Sequence, residues 1–151
     1  MTATFRRFGC WTICAAVMLL GGCSSFDRDW NAAAGVAPAN PVDITGRWQG
    51  TWASSVGTHH GDLRCLITRT DAVTYHARYA ATYGGIFHFE YEIPLVGERE
   101  GEWIHFEGDA DLGALAGGVY HHEGHANSTD LFATYRSSDD NGRYTMKRPR
   151  E

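Results

Sequence analysis

The sequence predicts a small all-β domain over residues 46–151, an antiparallel up-and-down barrel of eight strands. Three observations carry this. Apolar and polar residues alternate with period two through residues 73–83 and 86–96, the pattern of strands with one buried face. Turn-forming residues recur about every ten to fifteen positions after Gly46, and no segment there keeps a helical period. The composition, 13% aromatic with 18 glycines, suits pleated and tightly turned backbone better than helix. At 151 residues the chain has room for one such domain.

The elements follow in order. Arg6 and Arg7 form a basic start, and residues 8–20 carry no charge, with Trp11, Ile13, Val17, Met18, Leu19 and Leu20 among them. This stretch is short for a membrane span and fits the apolar region of a secretion signal. It runs into Leu20-Gly21-Gly22-Cys23, which resembles the bacterial lipobox. That resemblance implies cleavage after residue 22, a lipid on Cys23 and attachment to a membrane. Residues 24–43 hold small residues, two prolines and no usable period, and are expected to form a flexible tether within residues 23–45. Extended at ~3.5 Å per residue, it would reach roughly 70 Å. Trp30 is its one indole, either a membrane-interface contact or incidental.

The strands are expected at 46–53, 62–68, 73–83, 86–96, 102–111, 119–126, 130–137 and 143–148. Trp48 and Trp52 share a face of the first, and Leu63, Cys65 and Ile67 share a face of the second. Tyr75, Ala77, Tyr79 and Ala81 face inward on the third. Phe87, Phe89, Tyr91, Ile93 and Leu95 face inward on the fourth, with His88, Glu90 and Glu92 outward. Gly84-Gly85 and Asp139-Asp140-Asn141-Gly142 read as tight turns, and residues 97–101 as a charged one. Short links make successive strands antiparallel neighbours, and closure removes exposed edges. Gly50, Gly108 and Gly124 sit mid-strand, where a small barrel needs bends. A two-sheet sandwich satisfies the same alternation.

Gly46-Arg47-Trp48 resembles the Gly-X-Trp signature of lipocalins and the wider calycin group. The resemblance implies that Trp48 closes one barrel end under a basic residue from the last strands. Arg136 and Arg143 are the candidates, with Arg136 assigned. The chain is also similar to a family of uncharacterised bacterial lipoproteins. That similarity rests on residues 46–52, 61–65 and 89–91, on Gly108-Asp109-Ala110-Asp111-Leu112-Gly113, and on Ala116-Gly117-Gly118-Val119-Tyr120. Ser24 follows the lipobox cysteine where an inner-membrane retention signal would place Asp, so the outer membrane, facing the periplasm, is expected.

The chemistry follows from the same parity. The net charge is −5, and loss of Arg6 and Arg7 with the signal makes the remainder two charges more negative. Such a surface does not suit nucleic acid. Cys65 is the one cysteine in the barrel segment, so that segment has no intramolecular disulfide. No motif calls for a metal, a cofactor or catalysis. His121, Glu123 and His125 share a strand face, but that face is the outer one and reads as solvated. Tyr79, Phe89, Tyr91, Phe106, Tyr120 and His122 point inward and are the candidate lining of a site for a small apolar ligand. The other expectation is an interior filled by those same side chains, making the barrel a structural or interaction module of the envelope.

Overall fold

The computed structural model describes residues 24–36 and 42–150. Cys23 and the signal segment lie outside the described residues. Eight antiparallel strands close in chain order: β1 (Gly46–Ser54), β2 (His60–Arg69), β3 (Thr74–Tyr83), β4 (Phe87–Glu100), β5 (Trp103–Asp111), β6 (Val119–Ala126), β7 (Asp130–Arg136) and β8 (Asn141–Lys147). The ring is completed by β1 on β8, from Gln49 opposite Lys147 to Ser54 opposite Gly142. Every strand is therefore paired on both sides, and the architecture is a barrel, not a sandwich.

Alternation sets the inside. On β3 the buried residues are Tyr75, Ala77, Tyr79 and Ala81, on β7 Leu131, Ala133 and Tyr135, and on β8 Gly142, Tyr144 and Met146. A Cβ on Gly50, Gly108 or Gly124 would come within 1.9, 2.2 or 2.4 Å of a backbone oxygen, so these bends do require glycine. β4 runs further than the sequence suggested. Residues 98–100 are exposed yet paired with β5, Arg99 opposite Ile104 and Glu100 opposite Trp103, and the turn shrinks to 101–102.

One end of the barrel is plugged. Trp48 is fully buried, and its Nε1 donates to the Ile44 carbonyl at 2.8 Å. A guanidinium lies over the indole as expected, but it belongs to Arg148, 4.0 Å from the ring centroid. Arg148 Nη1 donates to the Thr45 carbonyl at 2.6 Å and Nη2 to that of Asp43 at 2.9 Å. This corrects the assignment of Arg136, which is exposed on β7 at the opposite end of the ladder, where it pairs with Asn141. Arg143 is likewise exposed. Both have outward parity, whereas Arg148 follows the end of β8 and is free to fold back across the barrel mouth. Burial lowers the Arg148 pKa to about 10, which leaves it cationic at neutral pH.

The tether expectation also needs correction. Ser25–Ala32 form a helix, α1, begun by Ser24, whose Oγ accepts from Asp27 N. Phe26 and Trp30, four apart, lie on one face and bury themselves against Leu66, the apolar residue of β2 that points out of the barrel. Asp27 pairs with Arg64 at 2.8 Å and Asp29 with Arg78 at 2.6 Å. The guanidinium of Arg64 also lies over both rings. Trp30 is thus neither incidental nor available to a membrane interface. Proline and alanine content concealed a short helix whose stability comes from docking.

Candidate functional site

The barrel is filled in its plugged half and hollow in the other. Trp48, Ile67, Leu95, Leu131 and Met146 pack the first half. Beyond them a cavity of about 480 Å³ opens toward the loops 55–59, 84–86, 112–118 and 137–140. Its walls come from most of the strands: Trp52, Leu63, Ala81, Phe89, Tyr91, Tyr120, His122, Tyr135 and Tyr144. No Lys or Arg is among its described lining residues. Glu90 and Asp140 stand at the margin, and Asp140 is engaged by Ser54 Oγ at 2.6 Å and the Tyr135 hydroxyl at 3.3 Å. A larger depression of about 630 Å³ lies outside, over β5–β8, but it is open at the surface and lined by outward side chains such as Glu107, Glu123 and Arg143.

The cavity is a stack of rings around one imidazole. Tyr79 and Tyr91 are parallel within 9° at 4.9 Å, and Phe89 continues the stack at 6.0 Å from Tyr91. His122 is 2% exposed and has Tyr79, Tyr91, Tyr135 and Tyr144 about it, each with its ring centroid 6.0–6.1 Å away. Its Nδ1 is 3.3 Å from the Tyr144 hydroxyl, which is 3.1 Å from that of Tyr79. His122 Nε2 is buried and has no hydrogen-bond partner. An unpaired buried polar atom costs about 1–3 kcal/mol, a cost that a water or ligand atom reaching Nε2 would remove.

The hydroxyl chain fixes what Nε2 can offer. When the Tyr144 hydroxyl donates to Nδ1, Nε2 carries the proton and is a donor; when Nδ1 donates to Tyr144, Nε2 is an acceptor. Either way the ring is neutral, because burial among apolar rings lowers the His122 pKa to about 4. The same burial raises the hydroxyls of Tyr79, Tyr91 and Tyr144 above the ordinary phenol range, so the chain is neutral throughout.

A pH dependence follows. In the unfolded chain His122 takes its proton near pH ~6.5; in the barrel it does so at about 4. Between these values the unfolded chain binds more protons, so stability is full above the upper value and falls as pH drops through the window. The loss expected by the lower end is on the order of 3 kcal/mol. Denaturant titrations at neutral and acid pH check it. His122→Phe should flatten this part of the profile, and an unchanged acid slope in that variant would assign the proton elsewhere.

The candidate residues fall into three groups. Phe89, Tyr91, Tyr120 and His122 line the cavity. Tyr79 is fully buried and forms its backing through Tyr91 and Tyr144. Phe106 is buried in the core and is not part of the cavity wall. Trp52, Tyr135 and Tyr144 also line the cavity and were not among the candidates; on β7 and β8 the two tyrosines alternate with exposed residues, the signal that could have found them. His121 and His125 lie on the outer wall, His121 Nδ1 2.8 Å from Asp109 and His125 edge-on to Trp103.

No protein-family model matches the chain, and no curated protein matches it. Among solved structures the barrel is similar to a de novo designed fluorescence-activating beta barrel, with a TM-score of 0.51 and 14% identity. The match covers 70% of this chain and 94% of the designed one. At that identity the likeness is one of fold, an eight-stranded antiparallel barrel.

Proposed function

We propose that this chain is a lipid-anchored, non-catalytic barrel that binds a small, flat, neutral apolar ligand in its open half. The observation that carries the reading is His122 Nε2, an unpartnered polar atom buried in a cavity otherwise walled by rings. Aromatic walls favour a planar ligand, which stacks with rings at 4.5–7 Å. Without a lining cation a carboxylate or phosphate would be desolvated unpaired, so the ligand is uncharged. One ring-nitrogen position calls for one carbonyl or hydroxyl on the ligand, as in a quinone or phenol.

Titration with a naphthoquinone tests this, because Trp52 lines the cavity and its emission should be quenched saturably. His122→Phe keeps the ring and removes Nε2, and should weaken binding about tenfold, the value of one hydrogen bond to a buried partner. Binding of naphthalene, which has no polar atom, should not weaken. Absence of saturable quenching, or equal loss for both probes, would refute the site.

The anchor rests on the basic start, the apolar stretch and Leu20-Gly21-Gly22-Cys23, and with it the envelope location. The outer membrane, periplasmic side, is the proposed place because Ser24 follows the cysteine. Cys23→Ala should leave unprocessed precursor, heavier by residues 1–22 and free of lipid in intact-mass measurement. Processing that continues normally would exclude the anchor.

A further inference from the structure

We propose that the open rim of the barrel inserts into a zwitterionic phospholipid bilayer, so that the cavity faces lipid and not water. Five large apolar side chains stand exposed around that mouth. Val56 is 63% exposed, Tyr83 36%, Ile86 73%, Phe87 62% and Leu115 fully. They stand at three places at one end: Val56 in the 55–59 connection between β1 and β2, Ile86 in the 84–86 turn with Tyr83 and Phe87 at the strand ends flanking it, and Leu115 in the 112–118 connection between β5 and β6. Exposed apolar residues scattered singly need no explanation, but a ring of them on loop tips around a cavity does.

The charge distribution selects the occupant. None of the three connections contains Asp, Glu, Lys or Arg. The fourth, 137–140, carries Asp139 and Asp140, with exposed Arg136 beside it, which limits the contact to the side of the mouth formed by the other three. The plugged end is the reverse: Glu98, Arg99, Glu100 and Glu102 flank its β4–β5 turn, and Asp71 sits in its β2–β3 turn. The three uncharged connections enter lipid without burying an ion, whereas the plugged end would bury several. With no cation on these three connections and an acidic chain, an anionic surface offers little attraction, and zwitterionic headgroups fit. A protein partner needs a continuous complementary surface, while these side chains stand apart on three loops, with Tyr83, Ile86 and Phe87 together on one hairpin, an arrangement that fluid acyl chains fill without matching shape. The rim is continuous with the cavity through Tyr83 and Phe87, which line both, so an apolar molecule would pass from bilayer to barrel without crossing water.

The inference uses the rim alone and holds whether or not the cavity takes a ligand; the naphthoquinone titration reports that separately. The test is hydrogen exchange on the full chain in phosphatidylcholine vesicles, at a density of few chains per vesicle. Wild type is compared with Ile86→Asp/Leu115→Asp. Amides of the unsubstituted 55–59 loop should exchange about tenfold faster in the variant, since the rim no longer inserts. Those of 70–73 and 127–129 at the plugged end should be unchanged. Slow exchange retained in β2 and β3 shows that the variant is folded. Ile86→Ser/Leu115→Ser, which adds no charge, should give an intermediate effect. Equal exchange of the 55–59 loop in all three chains overturns the proposal. So does protection that grows with chain density, which would make a second copy the occupant.

Discussion

Trp48→Ala is expected to be among the most damaging single substitutions in the barrel, lowering stability by about 3–5 kcal/mol. The indole is completely buried at the plugged end. Its loss removes the ring under the Arg148 guanidinium and the donor to the Ile44 carbonyl. Arg148 would then face a void while already partly desolvated, a worse position for a cation than either packing or water. Chemical denaturation should show a lower midpoint with an unchanged slope. A loss below about 1 kcal/mol would mean the end is closed by the Asp43–Arg148 contacts alone. Since the total stability of a domain this size is about 5–15 kcal/mol, a fraction of the variant should be unfolded near body temperature.

Gly50→Ala is expected to cost at least about 3 kcal/mol, although it adds one methyl group. The new Cβ would lie 1.9 Å from the Thr145 carbonyl oxygen and 2.7 Å from the Met146 Cα. Both are backbone atoms of β8 and cannot swing aside as a side-chain tip would. The clash falls on the β1–β8 ladder, where the first and last strands meet. Relief therefore requires the seam to open, exposing two edges. Amides of β1 and β8 should lose protection before those of β3 and β4, and the melting temperature should fall by more than ten degrees, as about 4–8 °C per kcal/mol predicts. A variant that melts within two degrees of wild type would show that the seam bends freely.

Much of this barrel is legible from spacing. The alternation of Tyr75, Ala77, Tyr79 and Ala81, and of Tyr91, Ile93 and Leu95, marks the inner face because a strand side chain has only two directions. Mid-strand Gly50, Gly108 and Gly124 mark the bends for the same reason of space. The docked helix was legible in part: Ser24 before Phe26 and Trp30 is a cap followed by an i, i+4 pair, and Leu66 is an apolar residue on the wrong face of its strand. Each signal is weak alone because eight residues are too few for a helix to stand unaided.

The sequence by itself determined the inside and outside of the strongly alternating strands and the order of the turns, while closure into a barrel rather than a sandwich was decided by the pairing of β1 with β8. Period-two patterning is a local property, and it survives whatever the strands later meet. Only the tertiary structure decided which arginine covers Trp48, because Arg148 leaves the strand period and crosses the barrel end to reach it. It also decided that Phe106 fills the core while Tyr135 and Tyr144 reach the cavity, since parity gives direction but not height along the barrel axis. And it decided the state of His122. Inward parity was plain, but the missing partner on Nε2 depends on where the tyrosines of β3, β4, β7 and β8 come to rest around it. Whether a buried polar atom is satisfied is settled by strands far apart in the chain, so no local pattern contains it.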